Sequence, residues 1–313
     1  MTENRIGFWG RLSNSLPPLE QIDRNIYKAV AFGFPLLTMV IITGAVWAQY
    51  VWQRWWSWDP KETASLVTWL VYAGYLHGRR QRQWTGKTSA LIVSVGFLAV
   101  LFTFAGVNFL QSLHSYGMAS PSPSGRILGG FSDVDPVEAI VTTGFFLCYL
   151  IGFLVMLQGT VGGKQSLSKV SFGFAVAGFV GNAVVLILRS VQAHRLTFTS
   201  GYDFSLWFVW GVTLWGLIAY VSKQRFALLG TLPIALLVSM YGYLYFPQKG
   251  HVPLPPALQN KLWLHIHVAL AIFAYGALAL AAGWSVLYLI KHAATGAGRA
   301  DAEGKPKGQP VGE

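Results

Sequence analysis

Residues 52–62 read WQRWWSWDPKE. Four tryptophans, Trp52, Trp55, Trp56 and Trp58, fall within seven positions, with Asp59, Lys61 and Glu62 directly behind them. The chain also carries seven histidines, three of them in "YLHGRR" (His77), "QSLHSYG" (His114) and "WLHIHV" (His267, beside His265). Imidazole nitrogens are common ligands of transition metals. Indoles supply wide, flat stacking area and one N–H each. The single cysteine, Cys148, lies in an apolar run. One cysteine makes neither an internal disulfide nor a CxxC redox pair. Any thiol chemistry would use thiols brought by another molecule.

The elements that must position these groups are membrane helices. Of the 313 residues, 53% are hydrophobic and only 11% charged, against about 25% charged in soluble domains. Eight apolar runs, near 29–48, 63–78, 89–110, 137–157, 170–188, 204–221, 226–245 and 264–290, approach the roughly 17–25 residues that a spanning helix needs. The expected fold is an all-α integral membrane bundle of about eight transmembrane helices. The first run exceeds a signal-peptide h-region and no A-x-A site follows it, so it is read as a retained helix.

Loop charge sets the expected orientation. The N-terminus, 79–88, 158–169, 222–225 and the tail from 291 hold 16 of the 23 basic residues, and the alternate loops hold 7. Basic residues concentrate on the cytoplasmic side. Both termini are therefore expected inside and the Trp-rich loop outside. The net charge of +11 reads as cytoplasmic loop charge rather than nucleic-acid binding. The tail from Thr295 reads as disordered.

Topology then sorts the histidines. His77 lies fourteen residues into the second span, about 21 Å of descent at 1.5 Å per residue. His114 and His267 share the level of the Trp loop, so His77 cannot reach the same metal atom. If these histidines bind iron, they serve two positions. His265 and His267 point to nearly opposite helix faces, so at most one faces the loop. Plainer readings stand beside these. A lone interfacial Trp is an aromatic-belt residue, a reading that suits a four-Trp cluster with an embedded acid less well. His194, His251 and His292 read as interfacial helix ends. His77 is either a snorkelling terminus ahead of Arg79 and Arg80 or a functional intramembrane group.

The stretch WWSWDPKETASLVTWLVYAGYLHGR resembles the tryptophan-rich signature of the CcsA/ResC family of system II cytochrome c assembly proteins, and the likeness continues through GVNFLQSLHSYG. Upstream, AFGFPLLTMVIITGAVWA is similar to the helix leading into that signature. In residues 190–290, SGYDFSLW resembles a weaker family motif that usually has Glu where Asp203 stands. PPALQNKLWLHIHV resembles the stretch carrying an outer histidine, which aligns with His267. Order is the departure: in the family the second half precedes the Trp-rich half. The chain reads as circularly permuted, or as two pieces fused. Its expected units are 1–118 (Trp-rich half), 119–169 (linker plus an extra connecting helix, peripheral and without a ligand), 170–292 (second half) and 293–313 (tail).

The resemblance implies cytochrome c biogenesis: haem b delivered across the membrane and presented for covalent attachment to apocytochrome c, as a subunit of a haem lyase forming thioether bonds. It implies His77 as the intramembrane haem ligand and His114 and His267 as the outer axial pair. Trp52, Trp55, Trp56 and Trp58 would lie against the macrocycle. Asp59 is counted with this haem-binding segment and read as a brace on its backbone N–H groups. Arg54, Lys61 or Arg126 would meet the propionates. Implied partners are a CcsB/ResB-like membrane protein supplying a histidine opposite His77, apocytochrome c with its CxxCH motif, a thioredoxin-like thiol reductant and membrane lipid. The implied location is the bacterial cytoplasmic or thylakoid-type membrane. A system I (CcmC/CcmF-like) haem handler is the alternative; a b-type electron-transfer cytochrome fits less well because only His77 lies deep, and a transporter because it has no need of outer histidines beside a Trp loop.

Overall fold

The computed structural model describes residues 7–81, 84–106, 110, 135–198, 200–245 and 261–296. His114, His251, Arg126, the 119–134 linker and the tail beyond 296 lie outside them. Among the described residues the chain is all α-helix. The helices are α1 (Phe8–Ser15), α2 (Leu19–Trp52), α3 (Pro60–Arg80), α4 (Gly86–Phe104), α5 (Pro136–Val161), α6 (Ser166–Gln192), α7 (Gly201–Val221), α8 (Ala227–Tyr245) and α9 (Lys261–Ala294). Each of the eight expected spans corresponds to one of α2 to α9. Seven are long and apolar enough to cross a membrane. The eighth, α3, has 21 residues and the length to cross, about 32 Å at 1.5 Å per residue. Its ends carry Lys61, Glu62, Arg79 and Arg80, which lower its apolarity.

Boundaries differ from the apolar runs for a physical reason. Helix α2 starts at Leu19 rather than 29, because its first turns are amphipathic: Ile22 and Ile26 are buried, while Glu20 is exposed. Asp23 there takes a two-pronged bond from Arg79 of α3, at 2.8 and 2.5 Å, and also accepts from the Gly86 N–H at 3.3 Å. That ion pair fastens α2, α3 and α4 at the end away from the Trp loop. Helix α1 had no counterpart among the apolar runs, being a short helix held by contacts with α5 and α9. The Lys291 ammonium donates to the Leu16 carbonyl beyond it.

Helix α9 is the axis of the bundle and packs against α1, α2, α4, α7 and α8. Small residues make this possible, because helices in lipid gain stability from close packing rather than from apolar burial. Ala274, Ala277, Ala279, Ala281 and Ala282 are buried along α9. At the α8 crossing Gly283 meets Gly230, where a Cβ on either would fall 2.7–2.8 Å from the other's backbone. Helices α5 and α6 pair with each other; α5 otherwise touches α8 and α1.

Candidate functional site

The Trp loop is stapled onto the first turn of α3. Asp59 is the N-cap, its carboxylate accepting the Lys61 N–H at 3.0 Å, with Pro60 in the first helical position. Glu62 closes the box. Its Oε2 accepts from the Ser57 N–H (2.8 Å), the Ser57 hydroxyl (3.0 Å) and the Asp59 N–H (3.2 Å). The D-P-x-E spacing is the sequence signature of such a cap. The staple matters because the loop carries two non-glycine residues in the left-handed region, Gln53 (φ 58) and Trp58 (φ 59), conformations that L side chains resist. Three bonds to one carboxylate, with the Thr63 hydroxyl on the Trp58 carbonyl at 3.3 Å, hold that geometry. Asp59 is buried and turned onto backbone, as a brace.

This loop roofs a cavity that opens to solvent. Helices α2, α3, α4, α7 and α9 line it, chiefly with apolar and aromatic side chains. Of the four clustered indoles, Trp55 and Trp56 face the cavity. Trp58 is 70% exposed and meets Trp56 edge-on at 5.9 Å. Trp52 sits edge-on against Trp47 at 5.2 Å. The polar groups on the wall include Lys61, Glu62, Ser65, Thr103 and His267. The Lys61 ammonium lies 5.9 Å from the Phe204 ring centroid; Arg54 is exposed in the loop.

His267 is held firmly. Its Nδ1 lies 3.0 Å from the Val40 carbonyl and 3.4 Å from the Thr43 hydroxyl. That hydroxyl already donates to the Met39 carbonyl at 2.7 Å, so the Nδ1 proton points to Val40. In the neutral ring this makes Nε2 the nitrogen with the lone pair, the arrangement that backbone carbonyls impose on metal-ligating histidines. Trp47 lies nearly parallel to the imidazole, 18° between planes and 6.3 Å between centroids. Gly44 gives the ring its place: a Cβ there would lie 3.0 Å from His267 Cε1.

The other histidines fall elsewhere. His265 points to the Phe198 ring, edge-on at 5.6 Å, so of this pair His267 is the one on the cavity. His77 lies in the last turn of α3, exposed, with its Nε2 2.8 Å from Gln81 Nε2. It is separated from the Trp loop by most of the length of α3. His194 is exposed past the end of α6. His292, expected at an interface, is buried and stacked on Tyr288 at 6.0 Å. Gly44, Trp47, Phe204 and Trp207 were missed by sequence reasoning. All four lie inside stretches that carry the family likeness, Gly44 and Trp47 in AFGFPLLTMVIITGAVWA and Phe204 and Trp207 in SGYDFSLW, which was the signal available.

The arrangement suits a large flat apolar ligand with a metal at its centre and acidic edges. Indole faces and aromatic rings would cover the disc, an imidazole lone pair would meet the metal, and an ammonium would meet an acid.

Comparisons with known proteins bear on what that ligand is. The family described as "Cytochrome C assembly protein" matches residues 6–114 and 199–309. "Cytochrome c biogenesis protein CcsA" of Pyropia yezoensis is 55% identical over 100 residues, 32% of this chain and 31% of the relative. The protein of that name from Gloeobacter violaceus is 53% identical over 102 residues, 32% of this chain and 30% of the relative. That of a Synechococcus strain is 52% identical over 110 residues, 35% and 30%. The chain thus spans under a third of the length of these relatives. No solved structure matches it.

Proposed function

Because the chain belongs to the cytochrome c assembly protein family, we propose that its cavity presents haem b, delivered across the membrane, for covalent attachment to apocytochrome c. The observation that carries this reading is the placing of His267. Its Nδ1 is committed to the Val40 carbonyl, on the wall of a mainly apolar cavity roofed by Trp55 and Trp56. The donor set fits haem, the cargo of such a site. Indoles match its flat polarizable face, a neutral imidazole is a common axial ligand of its iron, and Lys61 offers a cation to a propionate.

In this reading His267 holds the iron from one side and His114 from the other. His77, exposed at the far end of α3, meets an inner haem together with a histidine from a CcsB/ResB-like partner. The reaction joins each of two apocytochrome thiols to a haem vinyl group. A C–S bond forms at one vinyl carbon and the thiol proton ends on its neighbour, with no net oxidation. A thioredoxin-like reductant keeps those thiols reduced beforehand. Cys148 of this chain is on α5, away from the Trp loop. What the chain contributes is proximity and orientation, which can replace a large part of a bimolecular barrier. The family's reversed half-order is read as a circular permutation. Its support is the close packing of α2, from the first half, on α9, from the second, with Gly33 against Ala277 and Leu278 and Gly44 against His267.

The test is co-expression with a CcsB/ResB-like partner in a strain lacking its own assembly pathway, followed by assay of covalent haem on a reporter cytochrome c. Haem attached to the reporter is expected. A well-expressed chain that leaves the reporter bare with its partner present overturns the reading.

A further inference from the structure

We propose that Arg189 is a positioning residue for the cavity: with Asp203 and Glu138 it forms a buried clasp that fixes the α7 wall against which the cargo rests. The identity of that cargo rests on the proposed function; the clasp itself does not. Arg189 is in the last turn of α6, and Glu138 and Asp203 are in the first turns of α5 and α7. The Arg189 Nη1 donates to both Glu138 oxygens, at 2.9 and 3.1 Å, and its Nε donates to Asp203 Oδ1 at 2.8 Å. All three side chains are at most 4% exposed. The guanidinium also covers the Tyr202 ring at 4.9 Å. Each charge suits its helix end, acids at N-termini and a cation near a C-terminus. The planar fork of Arg reaches two acids at once, which a lysine cannot do in the same geometry.

The chain of contacts runs from the clasp into the cavity. Asp203 also closes the cap of α7: its Oδ2 accepts the Ser200 N–H at 3.1 Å, and the Ser200 hydroxyl accepts the Asp203 N–H at 3.1 Å. Arg189 therefore joins the end of α6 to the start of α7 and fixes the connection between them. From that connection the Thr197 carbonyl accepts the Trp207 indole N–H at 3.0 Å, and Phe198 packs on both Trp207 and His265. Gly201, Phe204, Trp207 and Phe208 of α7 line the cavity. Asp203 falls in the family-matched part of the chain, whereas Glu138 and Arg189 fall in the unmatched stretch between 114 and 199. Two of the three clasp residues thus come from α5 and α6, at positions the family model leaves unmatched, and they act on the cavity wall only through α7.

The experiment uses the full chain in detergent with two readouts. One is titration with haem b, read as dissociation constant and Soret position. The other is maleimide labelling of Phe204→Cys in a Cys148→Ser background, which needs no haem. Arg189→Lys is expected to raise the haem dissociation constant about tenfold, to move the Soret band, and to change the labelling rate severalfold at unchanged helicity. Asp203→Asn should do the same and Asp203→Glu should restore both, whereas Glu138→Gln, which leaves the α7 arm intact, should change them less. If Arg189→Lys does not accumulate, Asp203→Asn carries the test. Folded Arg189→Lys or Asp203→Asn with unchanged labelling and haem binding overturns the clasp. If the parent chain binds no haem but labelling still changes, the clasp stands and the proposed cargo falls.

Discussion

Gly44 of α2 and His267 of α9 are in direct contact: a Cβ built on Gly44 would lie 3.0 Å from the imidazole Cε1 and 3.3 Å from Nδ1. The absent side chain is what allows the ring to reach the Val40 carbonyl one turn earlier on α2. Gly44→Val fills that gap with a branched side chain and drives the imidazole off its acceptor. Helix propensity does not oppose the change, since Val is a better helix former than Gly. Crowding the ring and losing its bond to Val40 should cost about 1–3 kcal/mol of stability, and the haem spectrum should change with the ring's position. An unchanged Soret band in Gly44→Val would separate the ring's position from haem binding.

His267→Gly and His265→Ala make a matched pair. The two residues are neighbours but face different surroundings, the cavity and the Phe198 ring. His267→Gly should lose the reporter haem and regain part of it when imidazole is added, because free imidazole can occupy the vacated space. His265→Ala should retain most of the activity. Equal losses in both, without imidazole rescue, would assign His267 a packing role only.

Glu62→Ala tests the staple. One carboxylate oxygen holds two backbone N–H groups and one hydroxyl, and a bond to a charged acceptor is worth about 1.5–3 kcal/mol. Amide exchange at Ser57 and Asp59 should therefore speed up by about 10–100-fold, with little effect on amides deep in α2 or α9. Uniform acceleration across the bundle would mean that Glu62 supports the whole fold rather than the loop.

The sequence made the spans legible because apolar runs report on lipid, and it made the cap of α3 legible because D-P-x-E is local. It also separated His77 from the Trp loop, since helical rise alone requires it. The contacts that shape the cavity were not legible. Gly44 and His267 are 223 positions apart in the chain, and nothing in either segment specifies the crossing. The clasp was hidden for the same reason: Glu138, Arg189 and Asp203 come from three helix ends, and a helix-end charge on its own is an ordinary interfacial residue. Two of the four clustered tryptophans do not line the cavity: Trp52 ends α2 and packs on Trp47, and Trp58, itself in the left-handed region, is exposed, and neither placement has a signature in the sequence.

Close packing on α9 makes a prediction that needs no haem. Gly230 and Gly283 bring the backbones of α8 and α9 into contact, and neither backbone can yield as a flexible side chain would. Gly283→Leu must wedge the helices apart, and overpacking of this kind costs typically about 1–3 kcal/mol, at times more. A lower midpoint of thermal unfolding in detergent is expected, with Gly173→Leu, on the open face of α6 where nothing lies within 4 Å of an added Cβ, as the control. Equal midpoints for both would show that the crossing tolerates separation.

Lys61 offers the sharpest chemical test of the cargo's orientation. It lines the cavity from the first turn of α3, beside Glu62, whose carboxylate is already engaged by the loop. A propionate pointing to Lys61 would gain an ion pair; a haem whose propionates are esterified would not. Lys61→Met keeps the apolar stem and removes the charge. Partial exposure screens such a pair, so the loss in affinity for haem should be about tenfold, towards the lower end of charged hydrogen bonds. The dimethyl ester of haem should bind the parent chain and Lys61→Met equally. If the ester also loses affinity on substitution, Lys61 acts through packing on Phe204 and the propionates face another group. If neither ligand notices the substitution, the acidic edge of the macrocycle lies away from α3.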